Sequence, residues 1–233
     1  MPALPDIDLV VFDVLGTMVD EPGGLRRGFR ELLPDIGDAR AEELVELWHR
    51  HVGEQQREML AGRRPYAGSA VVDREAAARV AAAVGIGDEK EEEAVRSLAA
   101  AALRLDPWPD SARALGRLAS RYPVVGLSNA DHAALTRINA HAGLRWHQML
   151  SAADAHGYKP APEVYRLAIA NAGCPPERLL MVAAHAWDLR GAQALGMRTA
   201  YVERPVGDPP SATDSFDLFA KDLDDLAIQL DAI

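Results

Sequence analysis

Asp13 follows the apolar run Leu9-Val10-Val11-Phe12 and precedes Val14-Leu15-Gly16-Thr17. Such a run reads as a short buried strand, and the turn after it lifts one carboxylate above the strand end. A carboxylate held there can attack carbon or phosphorus and form a covalent ester or acyl phosphate. Three later apolar runs carry groups to match. Val124-Val125-Gly126-Leu127 is followed by Ser128-Asn129, Met149-Leu150 by a loop to Lys159-Pro160, and Leu179-Leu180-Met181-Val182 by Ala183 through Asp188. A hydroxyl, an ammonium and a second carboxylate would then meet Asp13 in one crevice. Each has an ordinary reading alone, because Asp and Ser commonly cap helices and lysines are commonly solvated. Four such residues in order at successive strand ends point to a site. Lys159 would keep Asp13 ionised, since an opposite charge favours the charged form. Ser128 would help hold the anionic part of a substrate. Asp188 would orient Lys159 or activate the water that cleaves the intermediate.

The elements that must position these residues follow from the same runs. Short, fully apolar runs separated by helical segments suggest a parallel sheet covered on both faces, extended by Thr199-Ala200-Tyr201-Val202 and by Phe216-Asp217-Leu218-Phe219. Between the first strand and residue 104 the pattern is helical. Leu44, Leu47 and Trp48, then Ala76, Val80 and Val84, then Val95, Leu98 and Ala102 recur at helical spacing. Gly62-Arg63-Arg64-Pro65 reads as a break between helices, and Glu91-Glu92-Glu93 as a solvated helix start. The expected fold is α/β: a Rossmann-like core from residues 1–20 and 106–233, with a helical cap over 21–105. Ligands of open α/β sheets bind at the carboxyl ends of the strands, where an insertion leaving the first strand would cover them.

Composition narrows the class. The chain has 233 residues, 48% hydrophobic, with a net charge of −10. That size accommodates a large domain with a smaller one inserted. The negative field disfavours nucleic acid and anionic membranes as partners. No apolar run approaches the ~18–20 residues that span a bilayer. Met1-Pro2-Ala3-Leu4-Pro5-Asp6 carries neither the basic nor the apolar part of an export signal. The single cysteine, Cys174, reads as a structural residue in a loop after a helix. A cytoplasmic protein is expected.

Phe12-Asp13-x-x-Gly16-Thr17, Leu127-Ser128-Asn129, Tyr158-Lys159-Pro160-x-Pro162-x-x-Tyr165 and Ala186-Trp187-Asp188-x-x-Gly191-Ala192 resemble the four motifs of the haloacid dehalogenase superfamily. The likeness spans nearly the whole chain and is nearest to the type II (S)-2-haloacid dehalogenases. It implies a helical cap inserted after the first motif, no metal, no cofactor, a small carboxylate substrate and a homodimer. It further implies that Asp13 displaces halide from C2 and that water then hydrolyses the ester, giving the inverted 2-hydroxy acid. On that reading Ser128 and Asn129 bind the carboxylate, Lys159 is the charge partner, Tyr165 a supporting hydroxyl, and Asp188 orients or activates water.

The chain departs from the pattern at four places, one of them Ala183 and Ala184, where small and partly hydroxylated residues are common. Leu15 stands where those dehalogenases carry an aromatic residue, and His185 stands where Asn is common. Their halide-binding Arg directly follows a cap-helix Trp, whereas Trp48 is followed by His49, with Arg50 next. One helical position rotates a side chain by ~100°. Leu15, His185, Trp48, His49 and Arg50 are therefore the candidate substrate contacts that differ.

Three rival functions follow. A related hydrolase could open a strained ring at an alpha carbon, as in azetidine-2-carboxylate hydrolysis, with no halide pocket. A magnesium-dependent phosphatase would ordinarily carry Asp at the position of Leu15 and an acid at that of Ala183. A non-enzymatic binding protein would not need all four core positions intact. Trp187 is expected to pack in the core and fix Asp188. Trp108 is expected to pack where cap and core rejoin. Arg63 and Arg64 are expected to be solvated. His132, His141, His147 and His156 show no metal-ligand spacing.

Overall fold

The computed structural model describes residues 6–231. The N-terminal stretch read above for an export signal lies outside them, apart from Asp6. Six strands form one parallel sheet: β1 (Leu9–Phe12), β2 (Val124–Ser128), β3 (Gln148–Ser151), β4 (Leu179–Ala183), β5 (Arg198–Val202) and β6 (Leu218–Ala220). Their order is β3-β2-β1-β4-β5-β6. The strand read at 216–219 begins instead at Leu218, because Asp217 turns its carboxylate onto Thr199 N–H and Arg198.

Alternate residues of each strand feed opposite layers. Val10, Phe12, Leu180 and Val182 pack beneath α5 (Ser111–Ala119), α6 (His132–Ala142) and α9 (Leu223–Asp231). Leu9, Val11, Leu179 and Met181 pack beneath α7 (Pro162–Ala172) and α8 (Ala186–Gln193). The strand order reverses direction between β1 and β4. Open sheets of this kind present their ligand crevice at that point, and Asp13 and Asp188 follow these two strands.

Between β1 and α5 lie four helices: α1 (Glu21–Leu32), α2 (Asp38–Leu60), α3 (Ser69–Ala83) and α4 (Asp88–Ala101). They bury a core of their own, including Leu25, Phe29, Leu44, Trp48, Val80 and Leu98. The chain enters and leaves this block at neighbouring points. Asp20 N–H donates to Asp106 O at 2.8 Å, Val19 bridges Pro107, and Trp108 Nε1 donates to Gly16 O at 3.0 Å. Trp108 thus packs at the expected junction. The longest helix, α2, is amphipathic and rich in charge, and no helix among the described residues is long and apolar enough to cross a membrane.

Candidate active site

Lys159 lies between two carboxylates. Its Nζ donates to Asp13 Oδ1 at 2.7 Å and to Asp188 Oδ2 at 2.6 Å. All three side chains are buried. Asp13 is delivered by β1, Asp188 by the first turn of α8, and Lys159 by the loop before α7. Buried charges demand complete pairing, and each remaining oxygen has a donor. Thr17 Oγ1 donates to Asp13 Oδ2 at 2.6 Å, and the Tyr165 hydroxyl donates to Asp188 Oδ1 at 2.7 Å. Thr17 also accepts Ala184 N–H at 3.0 Å, which ties the turn after β1 to the end of β4.

The two carboxylates are set apart electrostatically. Burial pushes Asp13 up, but Lys159, His185 and the Thr17 hydroxyl outweigh it and hold the carboxyl below its ordinary value. For Asp188 burial wins over Lys159, helped by repulsion from Asp13, and its carboxyl is raised. Asp13 is therefore the more available anion, and Asp188 is the group that anchors Lys159. Asp188 is tied to the ammonium through Oδ2 and to the Tyr165 hydroxyl through Oδ1.

Ser128 and Asn129 sit beside this trio at the end of β2. Ser128 Oγ accepts Ala130 N–H at 3.2 Å, which leaves its O–H to donate. Asn129 Oδ1 accepts Lys159 N–H at 2.8 Å, which leaves its amide nitrogen as a donor. Tyr165 is fully buried beneath Asp188 and supports that residue. Gly191 is required opposite it, because a methyl group there would land on the Tyr165 hydroxyl. Gly16 adopts φ +77°, and a Cβ would stand 2.7 Å from His185 Nε2. His185 fills that space, lies 3.3 Å from Leu15 O, and stacks on Trp187 at 5.6 Å.

Three expectations are corrected. Trp48 is buried within the helical block's own core, since it shares the face of α2 that carries Leu44 and Val45. Arg50, two positions round the helix, is exposed to solvent. Trp187 is only half-buried and lies against His185 instead of in the core. His49 does face inward, with Nε2 3.5 Å from Glu21 Oε2. Arg63 and Arg64 are occupied by Glu58 and Glu75 respectively. His132 and His141 pair with Asp154 and Asp106. Among the described residues no group of three or more His, Cys, Asp or Glu could hold a metal ion.

A narrow cavity of about 40 Å³ separates the helical block from the strand ends. Leu15 and Asn129 form part of its core wall, and Glu21, Gln56, Ser69 and Asp73 face it from the block. Glu21 and Asp73 were not singled out by sequence. Nothing in their spacing marks them, because they meet only when α1 and α3 fold onto the sheet. Thr17 was legible only as part of a motif.

The profile of the haloacid dehalogenase-like hydrolases matches residues 7–196. An (S)-2-haloacid dehalogenase of Pseudomonas putida is 29% identical over 88% of this chain and 88% of its own. The crystal structure of an L-2-haloacid dehalogenase superposes with a TM-score of 0.88 at 31% identity, covering 97% of this chain and 100% of that one. The L-2-haloacid dehalogenase of Xanthobacter autotrophicus with chloropropionic acid covalently bound superposes with a TM-score of 0.84 at 26% identity, covering 97% and 99%.

Proposed function

This chain belongs to the haloacid dehalogenase-like hydrolases, and from that premise we propose that it hydrolyses small 2-substituted carboxylates, 2-haloacids foremost, through an ester on Asp13. The observation that carries this reading is the single ammonium of Lys159 shared between Asp13 and Asp188. It keeps the nucleophile ionised while buried. Ser128 and Asn129 offer donors to the substrate carboxylate beside it. Asp13 attacks C2 from the face opposite the leaving group, the halide departs with its electron pair, and C2 inverts. Water then adds to the Asp13 carboxyl carbon and releases the 2-hydroxy acid. The relative with chloropropionic acid covalently bound supports a covalent route. The helical block serves as the cap that encloses the substrate.

A magnesium-dependent phosphatase fits these residues poorly. A cation would need carboxylate oxygens, and those of Asp188 are committed to Lys159 and Tyr165. The position two beyond the nucleophile is Leu15.

The test is halide release from (S)-2-chloropropionate with excess EDTA, and one turnover in ¹⁸O-water. Release should survive EDTA and vanish in Asp13→Asn with the fold unchanged by circular dichroism. The first product should carry unlabelled oxygen, because the label enters Asp13. Label found directly in the product would replace the ester by direct attack of water.

A further inference from the structure

Two side chains hold consecutive carbonyls of the turn that follows Asp13. Trp108 Nε1 donates to Gly16 O at 3.0 Å, and Arg204 Nε donates to Thr17 O at 2.9 Å. The two donors also meet each other, with the Arg204 guanidinium over the Trp108 ring at 5.7 Å from its centre. Arg204 follows the carboxyl end of β5, and Trp108 belongs to the segment by which the chain re-enters the core.

Asp110 fixes Arg204 in turn. Arg204 Nη1 donates to Asp110 Oδ1 at 2.9 Å and to Oδ2 at 3.0 Å, and the two side chains are only 6% and 10% exposed. Asp110 stands at the start of α5, where an Asp ordinarily caps its own helix, but its carboxylate makes no such cap. It is turned instead to Arg204 and to Leu223 N–H, at 2.7 Å, where α9 begins. A guanidinium is a rigid plane, so an Arg204 gripped through Nη1 has its Nε aimed in one direction, at Thr17 O.

Stability does not account for this pair. A buried ion pair gains little over apolar side chains of similar volume. Arg204 Nη2 is also buried with no acceptor among the described residues, which costs further. What the pair holds is the residue that bonds the nucleophile. Thr17 offers its carbonyl to Arg204, while its hydroxyl donates to Asp13 Oδ2 at 2.6 Å and accepts Ala184 N–H at 3.0 Å. Both hydroxyl bonds depend on how the Thr17 backbone is set, and the carbonyl is the handle on that setting.

We propose that Arg204, locked by Asp110 and Trp108, is a positioning residue for Asp13 that acts through Thr17. The proposal rests on the reading of Asp13 as the nucleophile. Lys159 fixes Oδ1 and Thr17 fixes Oδ2, so the carboxylate plane cannot turn and its free lone pairs keep one direction. Releasing Thr17 O frees the turn and takes the hydroxyl away from Oδ2.

Arg204→Lys is the sharpest test, because it keeps the charge beside Asp110 and removes the fork. One ammonium paired with Asp110 cannot hold the same bond to Thr17 O. For halide release from (S)-2-chloropropionate, kcat should fall by ~10–100-fold, as misplacement of a reacting group costs. KM, to which Ser128 and Asn129 contribute, should change little. The ¹³Cγ resonance of Asp13, assigned against Asp13→Asn in aspartate-labelled protein, should titrate at higher pH. Burial raises this carboxyl, and Lys159, His185 and the Thr17 hydroxyl lower it, with Asp188 across the shared ammonium. All these charges remain in the variant, so the rise reports the lost Thr17 bond. Thr17→Val should show the same two changes, and adding Arg204→Lys to it should deepen neither.

Fully additive losses in the double variant would overturn the proposal. So would Arg204→Lys with the parent's kcat and titration and only a lower Tm, which would leave the pair a brace for the fold. Where Arg204→Lys does not fold, Asp110→Asn decides. It loosens the grip on Arg204 and should raise the Asp13 titration although a negative charge is lost, and an unmoved or lowered titration overturns the proposal. A parent that releases no halide removes the haloacid reading, and the Asp13 titrations still decide the role of Arg204.

Discussion

Lys159 sets one positive charge between two buried carboxylates, and the trio depends on it. Lys159→Ala leaves Asp13 and Asp188 facing each other with no cation between them. Removing one partner of a buried ion pair costs ~3–5 kcal/mol, read as a lowered midpoint in urea. The rate profile should change as well. Asp13 lies below its ordinary value in the parent, so its ionised form persists into acid. Without Lys159 its proton binds more tightly, and the acid limb of kcat/KM should move to higher pH. An unmoved limb would mean that something other than Lys159 holds Asp13 ionised. These residues were legible in the sequence because each follows an apolar run whose end fixes its place. Trp48 and Arg50 were misplaced for the opposite reason. On α2 the side facing the crevice is decided by packing against α1 and α3, and helical periodicity alone leaves that rotation open. Glu21 and Asp73 were missed on the same ground.

At the scale of elements, Asp131 clasps the helical block to the core. Its Oδ1 caps α6 by accepting Ala134 N–H at 3.0 Å, and its Oδ2 accepts Ala70 N–H at 3.1 Å from the start of α3. Its own N–H donates to Ser69 Oγ at 2.9 Å, and Tyr158 closes the same seam by donating to Ala67 O at 2.8 Å. Asp131→Ala should cost ~1 kcal/mol as a lost cap. It should also speed hydrogen exchange at Ala70 and raise KM more than it lowers kcat, because the block loosens while Asp13 and Lys159 stay assembled. Equal losses in both constants would place Asp131 closer to the chemistry. The six strands and three of the cap helices were read from the sequence, since local apolar spacing marks them. This clasp was not, because it joins residues 61 and 62 positions apart that share no pattern.

For the whole molecule, one cavity residue should leave a mark on stability. The carboxyl of Asp73 is raised from 3.8 to about 8 in the folded chain. The folded state therefore holds a proton that the unfolded chain releases. That contribution is complete below about pH 4 and lost as pH rises through about 8. Asp73→Asn is neutral throughout, so its Tm relative to the parent should climb between pH 5 and pH 9. A constant difference would mean that the carboxyl titrates like an exposed one. The parallel sheet was expected from the apolar runs, but its order was not, because β1 pairs with β2 and β4 across long separations that only tertiary packing selects. The bond between Asp20 and Asp106 bears on history as well as on form. Everything between those two residues is, to the sheet, one long loop whose ends are already closed. Loop entropy grows only with the logarithm of length, so helices can be added to or trimmed from that loop at little cost to the core. The catalytic floor and its cover are thereby free to diverge at different speeds.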